Sequence, residues 1–366
     1  MSQPSPSTFI IAEAGVNHNG SIDMALQLVD EAARAGADAV KFQTFKSEAV
    51  ISRYAVKAEY QQQTTGVEDT QLEMVKKLEL DAAAHHRIRN RCREQGIQFL
   101  STPFDAESLR LLVGEFDLPI IKIPSGEITN APFLIEIAAT GRNLILSTGM
   151  STLGDIETAL AVLAFGALKT GQHPSSEAFR EAYESDAGQK ILQERVTLLH
   201  CTTEYPAPLD QINLRAMETM RQAFGLPVGY SDHTKGIAVT IAAAALGACV
   251  IEKHFTLDRS LPGPDHLASL EPGELAEMVR GIRAVEMAIG GAKKLAVPAE
   301  RKNRVVARKS LVALVAIKRG EIFTQENLGC KRPGSGISPL NYWDMLGKVA
   351  DRDYAEDEAI GMGNEI

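Results

Sequence analysis

The chain is poor in cysteine, has no surplus of positive charge and contains no long apolar run. Each shortage removes a class of protein. Its four cysteines, Cys92, Cys201, Cys249 and Cys330, are scattered over 366 residues. Cys201 and Cys249 stand in apolar, strand-like runs. They read as small core residues in a reducing cytoplasm, which argues against a disulfide framework or a zinc cluster. Lys and Arg number 38 against 47 Asp and Glu, a net charge of −9, so no nucleic-acid partner is expected. No apolar stretch reaches the length of a membrane span. The opening MSQPSPSTFI lacks the basic and apolar regions of a signal peptide. The expectation is a cytoplasmic protein with no membrane association. A phosphate-binding G-x-G-x-x-G after the first strand is also missing, which counts against a doubly wound dinucleotide fold.

What is present is a regular alternation. Apolar, β-branched segments begin near Phe9, Ala39, Ile97, Pro119, Leu144, Thr197, Val228 and Cys249. Amphipathic helical patterns lie between most of them, such as 23–35, 81–95 and 156–163. Eight β–α alternations over ~290 residues predict a (β/α)8 TIM barrel, whose usual size is about 250 residues before insertions. Two polar stretches interrupt the pattern. Residues 46–77 are expected to form an excursion over the top of the barrel, and 168–195 a surface insertion, part of it helical. The barrel is expected to occupy 1–290 and a polar, basic linker 291–304. Residues 305–366, with SLVALVAI, KRGEIF, the helix-start TQENL and KRPGSGISP, are expected to form a small β-rich domain.

The apolar runs end in polar residues. Glu13 ends the first, Lys41 and Gln43 share one face of the second, and Ser101 and Thr102 end the third. Lys122, Ser125 and Glu127 close the fourth, Ser147 and Thr148 the fifth, and Thr203, Glu204 and Tyr205 the sixth. A lysine in a buried parallel strand is costly unless it meets an anion. Lys41 and Lys122 both stand so, and with Ser and Thr hydroxyls they would cradle a phosphate or carboxylate. His233 and His254 end the last two runs, with Asp232, Glu252 and Asp265 nearby. In a right-handed βαβ unit the two strands are parallel neighbours, so the histidines face one side. They point to a metal site or an acid–base pair, against the plainer reading that each only hydrogen-bonds a loop. The residues alone reach as far as a metal-assisted barrel enzyme acting on a small phosphorylated, carboxylated substrate.

IAEAGVNHNG, VKFQTF, FLSTPFD, KIPSGEITN, LSTGM, HCTTEYPAP, GYSDHT, IEKHFTLD and GPDH, in that order along the chain, resemble the sialic acid synthase family. The tail resembles that family's C-terminal antifreeze-like (SAF) domain. The resemblance implies condensation of phosphoenolpyruvate with an N-acetylated mannose-type sugar, giving a nine-carbon 2-keto acid and phosphate. It implies that Lys41, Thr102, Lys122, Ser125 and Ser231 hold phosphoenolpyruvate. His233 and His254 would bind a divalent ion, manganese by the family's habit, with magnesium and cobalt as alternatives. Glu13 and Glu127 would transfer protons and orient the sugar. Gln43, Tyr205 and Asp265 would touch it, and Arg332 would reach across a domain-swapped homodimer into the partner's site. CTTEYPAP and YQQQTTGVEDTQLEMVKKLEL look closer to the branch that makes N,N'-diacetyllegionaminic acid. N-acetylneuraminate synthesis from N-acetylmannosamine is the alternative, and a non-catalytic carbohydrate-binding barrel a more distant one.

Overall fold

The computed structural model describes residues 7–66 and 68–361. The extreme N-terminus, Val67 of the 46–77 excursion and the end of the tail lie outside the described residues. Eight parallel strands form one sheet: β1 (Phe9–Gly15), β2 (Ala39–Thr44), β3 (Gln98–Pro103), β4 (Ile120–Ile123), β5 (Asn143–Ser147), β6 (Val196–Cys201), β7 (Val228–Asp232) and β8 (Val250–His254). Strands adjacent in sequence pair except β3 and β4, β1 also pairs with β8, and β3 lies against β4 at the unpaired seam. An open doubly wound sheet would instead reverse its strand order partway. This is a near-closed TIM barrel.

The helices around it start and stop where short-range chemistry dictates. Ser21 accepts from the Met24 N–H to open Ile22–Ala35, and Gly36 closes it in the left-handed region (φ 82°). Asp81 caps Ala82–Gln95 through the Ala84 N–H, with Gly96 as its left-handed stop. Thr152 and Asp155 form a capping box on Leu153–Leu168. Ile22–Ala35 buries Ala25, Leu28, Val29 and Ala32 against the sheet. A Leu28→Ala change there would cost roughly 2–5 kcal/mol.

Because side chains alternate along a strand, each strand serves two layers. One face, with Ile10, Ala12, Val40, Phe42, Leu146, Leu198, Tyr230 and Ile251, joins the large core between sheet and helices. The other face points inward. Its lower layer is an apolar plug of Ile11, Ala39, Leu100, Ile145, Leu199 and Val250. Two residues further along each of these strands stand Glu13, Lys41, Thr102, Ser147, Cys201 and Glu252. The same period that builds the plug therefore puts a polar layer directly above it.

The excursion carries three short helices, Ser47–Val50, Glu59–Thr65 and Gln71–Lys76. Glu79 ties its two ends, accepting from Lys46 Nζ (3.1 Å), the Ser47 N–H (3.1 Å) and Ser47 Oγ (3.0 Å). The 168–195 insertion is mostly helical, as Ser176–Glu184 and Asp186–Arg195, and Phe179 packs on Phe165 of the preceding helix.

The chain divides into two compact units at Gly290. The second pairs β9 (Ser310–Ala313) antiparallel to β10 (Leu328–Lys331) over a core of Leu311, Ile317, Phe323, Leu328 and Tyr354. Two expectations change here. The 291–304 stretch is no simple linker, because the helix Pro298–Ala307 begins inside it and the Val305 carbonyl accepts from the Gly334 N–H at 2.7 Å. TQENL is a turn instead of a helix start, because the Asn327 side chain accepts from the Thr324 N–H at 2.7 Å and closes it.

Candidate active site

The carboxyl ends of the strands open into a cavity of about 430 Å³. Its inner wall comes from the polar layer: Glu13, Lys41, Gln43, Thr102, Lys122, Ser125, Ser147, Cys201, Ser231, Glu252, His233 and His254. Thr203, Tyr205 and Asp265 line it from the loops, Ile51, Gln61, Gln71, Met74 and Val75 from the excursion, and Leu78 from just past its end.

The two lysines meet carboxylates of the protein itself. Lys41 Nζ lies 2.6 Å from Glu13 Oε2, 3.5 Å from Glu252 Oε2 and 3.1 Å from Thr102 Oγ1. Lys122 Nζ lies 3.0 Å from Glu252 Oε1, which also accepts from Ser231 Oγ at 2.8 Å. The cradle is thus a balanced cluster of two ammoniums and two carboxyls, not the purely cationic one expected from the strands. By alternation Glu252 shares a face of β8 with His254, but only the closed barrel reveals that it contacts both lysines.

Burial separates the two carboxyls. It pushes Glu13 up to about 7, against the attraction of Lys41 and with added repulsion from Glu252. Burial acts on Glu252 in the same direction. There Lys122 and Lys41, with hydrogen bonds from Lys122 and Ser231, outweigh it and hold the carboxyl well below its usual range. One group is a fixed anion and the other exchanges a proton near neutrality, a pairing that suits acid–base work.

The rings of His233, just past β7, and His254, at the end of β8, stand 5.5 Å apart between centroids, and the Tyr205 ring lies 4.1 Å from that of His233, tilted by 31°. His233 Nδ1 donates to the Thr202 carbonyl at 2.6 Å, which leaves Nε2 as its free nitrogen. His254 Nδ1 is buried with no hydrogen-bond partner, and the nearest Asp265 oxygen is 4.0 Å away. Burial pushes His233 down to about 4 and His254 well below its usual value, so both are neutral at pH 7. Neutral imidazoles with an unsatisfied nitrogen are the chemistry of metal ligands. Burial likewise raises Asp265 to about 6. Among the described residues no third His, Cys, Asp or Glu completes a protein cage.

Ser125 sits where the chain leaves β4. Its Oγ accepts from the Gly149 N–H at 3.0 Å and lies 3.5 Å from Cys201 Sγ. A side chain on Gly149 would come within 2.2 Å of Thr203 Oγ1 and 2.7 Å of Ser125 Oγ, so the backbone must come in bare at this point.

Two expected residues do not line the cavity. Glu127, in the turn Ser125–Glu127, is not among the cavity-lining residues, and its carboxylate accepts from Asn130 at 2.7 Å. Glu204 is exposed, because Thr203 and Tyr205 take the inward positions on either side of it. Arg332 is exposed on the second unit. Cys201, which reads as a core residue, lines the cavity, as does Ser147.

A model of the NeuB family matches residues 28–294, and one of the SAF domain residues 308–362. The chain is 52% identical to the N,N'-diacetyllegionaminic acid synthase of Campylobacter jejuni, over 96% of this chain and 98% of that protein. It is 42% identical to the protein of the same name from Legionella pneumophila, over 94% and 90%. The N-acetylneuraminic acid (sialic acid) synthetase of Leptospira borgpetersenii, solved in complex with citrate, superposes with a TM-score of 0.65 at 33% identity, covering 81% of this chain and 90% of that one. On its barrel, its tail and relatives matched nearly end to end, the chain belongs to the NeuB family.

Proposed function

We propose that this chain condenses phosphoenolpyruvate with 2,4-diacetamido-2,4,6-trideoxymannose, releasing phosphate and forming N,N'-diacetyllegionaminic acid. The observation that carries the chemistry is the buried Lys41–Glu13–Glu252–Lys122 cluster beneath two neutral histidines. The choice of sugar rests on the 52% identity to the Campylobacter jejuni enzyme of that name.

In the reaction the enol carbon of phosphoenolpyruvate bonds to the aldehyde carbon of the sugar. Water adds to the oxocarbenium carbon left behind, and the adduct loses phosphate to give the 2-keto acid. Lys41, Lys122, Thr102, Ser125 and Ser231 hold the carboxylate and phosphate, and Glu252 keeps both lysines in place. Glu13, near neutrality, exchanges a proton with the sugar oxygen or the attacking water. Gln43, Tyr205 and Asp265 face the sugar. His233 and His254 would hold a divalent ion, manganese first. Such an ion supplies Lewis acidity for the aldehyde. The protein is proposed to work in the cytoplasm as a domain-swapped homodimer, with Arg332 serving the partner's sugar site.

The experiment is to offer phosphoenolpyruvate with each of three sugars: N-acetylmannosamine, the 2,4-diacetamido-2,4,6-trideoxymannose and the pseudaminic acid precursor. Phosphate release is then measured. The expected result is a kcat/KM for the trideoxy sugar well above the others. Equal or reversed preference moves the chain to another branch, and no release with any sugar overturns the proposal.

A further inference from the structure

Behind the two histidines, on the face of the barrel wall away from the cavity, lies an ion pair with no solvent exposure. Lys253 Nζ is 2.7 Å from Asp232 Oδ2, and both side chains are 0% exposed. Neither lines the cavity. We infer that Lys253 and Asp232 are positioning residues that clasp the ends of β7 and β8 and so set the separation of His233 and His254 for a shared divalent cation. The inference rests on the proposed metal reading and adds the device that prepares the site.

The placement is specific. Asp232 and Lys253 are register partners, and they form the last pair of the β7–β8 ladder. Each immediately precedes one of the histidines. Past that pair β7 and β8 no longer pair with each other, and only His254 stays in a ladder, opposite Glu13 of β1. The clasp takes over at that point. Lys253 Nζ donates to the Thr234 carbonyl as well as to Asp232, so it grips the backbone on both sides of His233. Asp232 closes the same turn, accepting from the Thr234 N–H at 2.9 Å and Thr234 Oγ1 at 3.2 Å. Tyr230, buried one step back on the same face, donates to Asp232 Oδ1 at 3.2 Å. With Nδ1 fixed on the Thr202 carbonyl, the His233 ring is held from both ends.

A fold would not need a charged pair here. A buried ion pair contributes no more stability than well-packed apolar residues of similar volume, and often less. What it supplies is direction, since an ammonium shared between a carboxylate and a carbonyl accepts few geometries. The main core surrounds it with Tyr230 and Ile251, so an apolar replacement has suitable neighbours.

The test measures Mn2+ binding by electron paramagnetic resonance on metal-free full-length protein without substrates. The Asp232→Leu/Lys253→Met double variant removes the pair and strands no charge. Its Mn2+ affinity should fall about tenfold or more, the usual effect of losing outer support for metal ligands. Its unfolding midpoint and its affinity for phosphoenolpyruvate should stay near those of the parent protein. The milder Tyr230→Phe/Thr234→Val variant keeps the pair, loosens the turn and should lose severalfold. A folded double variant with parental Mn2+ affinity overturns the inference. If that chain does not fold, parental affinity in the milder variant does so. Parallel losses for Mn2+ and phosphoenolpyruvate also overturn it, because they signal general damage. His233→Ala separates the two levels: if it binds Mn2+ as the parent does, the metal reading itself fails.

Discussion

Glu252→Gln tests the central electrostatic idea, that one carboxylate neutralises two lysines until substrate arrives. The change keeps the shape and removes the charge 3.0 Å from Lys122 and 3.5 Å from Lys41. Each contact is worth roughly 5 kcal/mol gross at an effective dielectric near 20. Most of that only offsets desolvation, and breaking a buried pair costs about 3–5 kcal/mol net. The lower end applies, because Lys41 keeps Glu13 at 2.6 Å and the amide oxygen can still accept from Ser231. A cost of ~3 kcal/mol lowers the melting midpoint of a large domain by roughly 6–12 °C. Phosphoenolpyruvate should then repair the loss, since its own anionic groups meet the exposed ammoniums. At 100 times its dissociation constant a ligand stabilises by about 2.7 kcal/mol. In the variant the anion also replaces the missing carboxylate, so its affinity should rise about tenfold, another ~1.4 kcal/mol. Thermal scans with and without phosphoenolpyruvate should therefore show a wide gap from the parent protein that narrows with ligand, while turnover falls. An unchanged ligand-free midpoint, or a smaller ligand-induced shift than the parent's, would refute the reasoning.

Lys122→Ala should raise the KM for phosphoenolpyruvate by an amount worth on the order of 1.5–3 kcal/mol, with little change for the sugar; unchanged KM values in both this variant and Lys41→Ala would place the cradle elsewhere. Chelation should abolish phosphate release and Mn2+ restore it, and a fully active chelated enzyme would exclude a metal role. The Glu13 carboxyl has its folded pKa raised from 4.5 to about 7, so the folded state binds its proton more tightly than the unfolded state. That contribution is complete below pH ~4.5 and is lost as pH rises towards 7. In urea titrations the stability advantage of the parent over Glu13→Gln should shrink across that window by at most about 1.4 kcal/mol per pH unit, and a flat difference would contradict the assignment. Mixed Arg332→Ala and His233→Ala chains, each nearly inactive, should regain activity after subunit exchange if Arg332 acts across a dimer; no recovery after verified exchange would return Arg332 to its own chain.

Local chemistry along the chain was enough to reveal the architecture. Eight apolar runs separated by capped helical patterns leave few arrangements other than a barrel. Period-2 alternation puts Lys41 with Gln43, and Glu252 with His254, on one face of their strands, and all four line the cavity. What alternation along one strand does not contain is distance across the barrel. Glu252 meets Lys122 over 130 positions of sequence, and Lys41 meets both carboxyls, because closure brings β2, β4 and β8 around one axis. That is why the lysines looked unpaired and the cradle cationic. Glu127 and Glu204 do not line the cavity for a related reason: past the strand end the alternation stops, and turn geometry decides which way a side chain faces. The excursion's apolar wall, with Ile51, Met74 and Val75 in the cavity, was hidden by its polar composition. The sequence by itself determined which residues could face inward. Tertiary closure alone decided which of them meet, because the energies that separate Glu13 from Glu252 come from burial and from neighbours distant in the chain.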